Sequence, residues 1–119
     1  EKASVVLYRP SRFVDAARKV TIYIDNRPLC VLSNSSHFNF EVTTGTHSLA
    51  TLYFRNTKGE VAVPESQFTF VSGQTYYFAL SQQGLVLAVP AQKGESESRR
   101  TKPIKESSIS FQPTGNEVK

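Results

Sequence analysis

The chain has 119 residues, 39% of them apolar, 20% charged, with a formal net charge of +4 and one cysteine. That length favours one domain, the lone Cys30 excludes an intrachain disulfide, and no apolar run approaches the ~18 residues that span a membrane as a helix. Residues 1–90 carry eight Lys or Arg against six Asp or Glu, and residues 91–119 carry six against four. The positive charge is therefore spread rather than concentrated, which argues against a nucleic-acid binder.

Ser4-Val5-Val6-Leu7-Tyr8 reads as a first strand stopped by Arg9-Pro10. Residues Phe13 to Ala17 read as an ordered loop or a single helical turn. Lys19 to Asp25 alternates, with Val20, Ile22 and Ile24 on one face and Thr21, Tyr23 and Asp25 on the other. Asp25-Asn26-Arg27-Pro28 is a turn, because Asp and Asn tolerate positive φ, and Pro28 to Leu32 returns to close a hairpin. Cys30 sits in this apolar run and reads as a small buried hydrophobe.

After the Ser33-to-Ser36 loop, Phe38, Phe40 and Val42 face inward while His37, Asn39 and Glu41 face out. Gly45 launches the next strand, whose pattern puts Ala50, Leu52 and Phe54 inside and Leu49, Thr51 and Tyr53 opposite. Val61 to Val63 pairs back and breaks at Pro64. Gln67 to Val71 presents Phe68 and Phe70 inward; Gly73 launches Thr75 to Ser81, and Leu85 to Val89 is a last strand with Leu87 inside, ended by Pro90.

This rhythm predicts an all-β chain: an antiparallel β-sandwich of about eight short strands, Ig-like, with no major helix. All six glycines are expected at turns. The domain spans 1–90, and 91–119 reads as a polar tail too poor in apolar residues to repay its own ordering. Ile109-Ser110-Phe111 alternates and is a candidate edge strand, for its own domain or for a partner.

Chemistry is sparse. His37 and His47 have no HxH or HxxxH spacing, a zinc site would need Asp25 or Glu41 as a further ligand, and no CxxC is present. No nucleophile elbow and no phosphate-cradling glycine loop occur. The expectation is therefore no enzyme, no metal and no cofactor. Tyr8, Tyr23, Tyr53 and Tyr77 read as outward aromatics. Their plain role is cross-strand packing; their functional role is a contact platform. The candidate binding residues are Tyr23, Arg27, His37, Tyr53 and Tyr77.

Five short elements in order carry a resemblance: Leu7-Tyr8-Arg9; Ile24-Asp25-Asn26-Arg27-Pro28; His37-Phe38-Asn39-Phe40; Thr44-Gly45-Thr46-His47; and Gly73-Gln74-Thr75-Tyr76-Tyr77. Over residues 4–90 the chain resembles domain of unknown function 2846, found in small secreted lipoproteins of Gram-negative bacteria. Its second half is also similar to the PEGA-type surface domain. Asn26 stands where that family usually has glycine, and it still permits a type I′ turn. The resemblance implies a non-catalytic module of the periplasm or outer membrane, lipid-anchored upstream of Glu1. It would contact an envelope protein partner. A glycan or peptidoglycan bound on an exposed tyrosine face is the alternative.

Overall fold

The computed structural model describes residues 1–11, 19–55, 59–82, 84–104 and 117–118. The loop expected around Phe13 and the candidate strand at Ile109 to Phe111 lie outside them. Alternation produces the strands: β1 (Lys2–Arg9), β2 (Val20–Ile24), β3 (Arg27–Leu32), β4 (Ser36–Thr43), β5 (Gly45–Arg55), β6 (Gly59–Phe70), β7 (Thr75–Leu80) and β8 (Val86–Val89). A helix, α1 (Ala91–Ser98), follows, and then two short strands, β9 (Lys102–Pro103) and β10 (Glu117–Val118).

Two sheets form a sandwich. The smaller has the order β3-β2-β5-β6 and is antiparallel throughout. The larger runs β10-β4-β1-β7-β8, with β9 also on β4. It is mixed rather than purely antiparallel. β1 pairs β7 in parallel, with Leu7 opposite Phe78, and β9 and β10 run parallel to β4. The first strand can do this because it is inserted between β4 and β7, and sequence alternation does not report strand direction.

Between the sheets lies one apolar core. Val5 and Leu7 of β1, Ile22 and Ile24 of β2, Leu29 and Cys30 of β3, Phe38 and Phe40 of β4 and Phe78 of β7 all contribute to it. Phe70 is buried with edge contacts to Tyr76 and Phe78, and Phe68 meets Phe78 edge-on. Cys30 has no exposure, as expected of a small hydrophobe. Asp25 (φ 49°) and Asn26 (φ 65°) both occupy the left-handed region that a type I′ hairpin requires.

Four sequence expectations change. In β5, Leu49, Thr51 and Tyr53 are buried, whereas Ala50 and Leu52 are half-exposed on the outside. Both faces of this strand are apolar, so composition could not choose. Pairing does choose, since Thr51 lies opposite Ile22 and Leu49 opposite Ile24 of the buried β2 face. In β8 it is Val86 that is buried, while Leu87 is 48% exposed. Pro64 does not end its strand. β6 runs through it because the β5–β6 register shifts between Leu49 and Thr51, a bulge on an edge strand where no N–H is needed.

The fourth change is that Ala91–Ser98 forms a helix, and Gly94 lies inside it rather than at a turn. The physical reason is tertiary. The helix packs on β7 and β1, and a Cβ at Gly94 would come within 2.3 Å of the Tyr77 Cβ. Glycine permits this approach, and the seat supplies what the polar sequence lacks.

Candidate functional site

Two histidines organise the two ends of the sandwich. His47, carried inward at the start of β5, is buried. Its Nδ1–H donates to Asp25 Oδ2 at 2.5 Å, and its Nε2 lies 2.9 Å from the Thr43 carbonyl and 3.2 Å from the Thr43 hydroxyl. The other oxygen of Asp25 accepts the Ser48 N–H at 2.9 Å. The β2–β3 turn is thereby tied to the β4–β5 corner. These bonds are made within the fold, so the cluster acts as a structural pin.

At the other end, His37 is half-buried on the outer side of β4. The Thr101 hydroxyl has one proton, and it donates that to the Ser98 carbonyl at 2.6 Å. It therefore accepts from His37 Nδ1–H at 2.8 Å. The Tyr8 hydroxyl, also beneath α1, donates to Glu97 Oε1 at 2.5 Å. Burial first, and then the Glu97 carboxylate, push the Tyr8 phenol above its ordinary range. Arg9 is buried next to it and donates to the Leu32 carbonyl at 3.0 Å, bridging the sheets. The Tyr-Arg pair is thus structural.

The five expected binding residues do not share one surface. Tyr23 is half-exposed on the outside of the smaller sheet, and Arg27 is exposed at the adjoining turn. Tyr53 belongs to the same sheet but is 6% exposed, on its inner side. There its ring packs against Gly84, where a Cβ would come within 2.6 Å of Cε1. Thr51 reinforces this by donating to the Gly84 carbonyl at 2.7 Å. The exposed placement of Tyr53 and of Tyr8 is corrected, because loops and α1 cover them. His37 and Tyr77 lie on the opposite sheet, beside and beneath α1.

Among the described residues, no element packs over the outer face of the smaller sheet around Tyr23. Register places Val31, Thr21 and Leu52 in one row across β3, β2 and β5, with Ala62 of β6 extending it. Pro28, Tyr23 and Ala50 form the next row. All are half-exposed or exposed, none is charged, and the one described helix packs on the other sheet. Sequence reasoning found Tyr23 but missed Leu52, Ala50 and Val31. The inward phase of β5 is 47, 49, 51 and 53, and because both faces of the strand are apolar no sequence signal pointed to Ala50 and Leu52.

Among the described residues, no group of three His, Cys, Asp or Glu side chains is placed to hold a metal ion. A protein-family model described as Protein of unknown function (DUF2846) matches residues 1–91. The PEGA-type likeness of the second half draws no support from that match. No curated protein and no solved structure matches the chain.

Proposed function

The chain belongs to the DUF2846 family across residues 1–91, and on that premise we propose that it is a non-catalytic module of the bacterial envelope that docks a protein partner on the outer face of its smaller sheet. The observation that carries this reading is the uncharged surface of Val31, Thr21, Tyr23, Ala50, Leu52 and Ala62, half-exposed or exposed on an antiparallel sheet. A flat apolar area of this kind with a central tyrosine suits a protein interface. The sheet is held from behind by the shared core, so the surface is preorganised and binding need not order it.

The glycan reading depended on several tyrosines sharing one face. Tyr53 is turned inward and Tyr77 lies beneath α1, which leaves Tyr23 as the tyrosine on the open surface. A single exposed tyrosine in an apolar surround suits a protein contact better than a glycan platform. The envelope location follows the family resemblance, with a lipid anchor upstream of Glu1.

The test is capture of a partner from a solubilised envelope fraction by the chain and its Val31→Glu and Leu52→Glu variants, with Leu87→Glu on the opposite sheet as control. The expected result is one recovered protein, lost with the first two variants and kept with the third. Equal recovery by all three would remove the reading. Fractionation of source cells should place the protein with the envelope; recovery in the cytosol contradicts that part.

A further inference from the structure

Part of the outer face of the larger sheet, over Tyr77, Tyr8 and His37, is already occupied by the chain itself. α1 lies on Tyr77, Glu97 accepts from Tyr8, and Thr101 accepts from His37. Beyond Thr101 the chain adds to the β4 edge. The Lys102 N–H donates to the Ser35 carbonyl at 2.9 Å and the Ile104 N–H to the His37 carbonyl at 3.0 Å. Ile104 packs against the core. This is strand addition to a sheet edge, in which main-chain bonds supply affinity and a side-chain anchor fixes register.

Two features mark the segment as separable. The family match ends at residue 91, where α1 begins. The helix is only eight residues long, too short to persist by itself, and its buried residues are Gly94 and Ser98. Its docking thus rests on fit and hydrogen bonds with a single apolar anchor at Ile104. The connection from β8 to α1 is Pro90 alone, in an extended conformation (φ −58°, ψ 146°). A hinge this short favours exchange of the following element between copies.

We propose that residues 91–104 are an exchangeable strap, seated on their own domain in the monomer and on the same seat of a second copy in a closed two-fold dimer. Every bond named above re-forms between copies, so the two states differ at the hinge, in the pairing of β10 with β4 that must follow the strap, and in the cost of association. The strap's own tether sets the competition, at an effective concentration on the order of millimolar.

The test uses the full chain. Size exclusion with light scattering at roughly 1 mM, the range of that effective concentration, should show a dimer. Inserting three glycines after Pro90 should weaken the exchange constant roughly tenfold, which at this concentration lowers the dimer fraction about threefold. A fluorescent peptide of residues 91–104 should bind the Ile104→Asp chain, whose seat is emptied, at least about tenfold more strongly than the wild type. A chain that stays monomeric, a dimer indifferent to the hinge insertion, or an Ile104→Asp chain that captures no peptide each overturns the proposal. So does global unfolding of both Ile104→Asp and the milder Thr101→Val, since the strap would then be part of the core.

Discussion

Gly94 reverses the usual residue preference. Inside a helix, alanine is ordinarily better than glycine by about 1 kcal/mol. Here an added methyl meets the Tyr77 side chain at 2.3 Å, so overpacking wins and Gly94→Ala should destabilise α1 docking by about 1–3 kcal/mol. Hydrogen exchange of α1 and of the β4 edge would register it, and slower exchange in the variant would refute the fit. Asp25 is a second decisive residue, because it satisfies both His47 Nδ1–H and the Ser48 N–H. Asp25→Ala should cost about 1–3 kcal/mol in denaturant unfolding, and Asp25→Asn less, since it keeps the shape and one acceptor. The two turns joined by this pair were each legible in the sequence. Their union was not, because 22 residues separate the partners.

Tyr8 gives the residue scale a pH dependence. Its folded phenol titrates above the ordinary 10.0, chiefly from burial and next from Glu97. The unfolded phenol ionises first as pH rises, so the stabilisation is intact below about pH 10 and is lost progressively above it, toward the folded value. Tyr8→Phe should lower stability at neutral pH by about 1–3 kcal/mol, the range for a hydrogen bond to a charged group, and flatten the alkaline decline. Denaturant titrations at neutral pH and about pH 11 would separate the two effects. An equally steep alkaline decline in the variant would show that another group is responsible.

At the scale of elements, β5 and β6 show where periodicity succeeds and where it stops. Strand positions were readable because glycine or Asp-Asn turns separate alternating runs, and Gly45 at φ 117° and Gly73 at φ 79° supply backbone that other residues rarely adopt. Which face of β5 is buried was not readable. Ala50 and Leu52 are apolar, yet the inner positions go to Thr51, whose hydroxyl is satisfied by Gly84, and to Tyr53, which packs on the same glycine. Pairing with the buried face of β2, together with contacts from the distant Gly84, decided that choice. β3 permits a direct check of rigidity: Cys30 is fully buried, and burial pushes its thiol far up from its ordinary value. Alkylation of Cys30 should therefore track global unfolding. Fast labelling under native conditions would mean that β3 opens locally at the edge of its sheet.

For the whole molecule, the two outer sheet faces differ in what covers them. The larger sheet carries the strap that follows Pro90; the smaller sheet presents an uncharged surface centred on Tyr23 and Leu52. The sandwich itself was legible from strand rhythm. The strap was not, because its sequence is polar and its helix forms on a seat built by residues far earlier in the chain. The open surface was half legible: Thr21 and Tyr23 follow from the alternation of β2, while Val31 and Leu52 join them only through strand pairing. Leu52→Glu, at a half-exposed site of a central strand, should cost no more than about 1 kcal/mol in folding stability. Its effect on partner capture therefore reports on binding rather than on folding.

The most direct measurement is site-specific photocrosslinking in intact cells, with the reactive side chain at position 52 on the smaller sheet or at position 87 on the larger. A docking role for the smaller sheet predicts one discrete adduct from position 52 and none of that identity from position 87. The same adduct from both positions, or none from position 52, would contradict it.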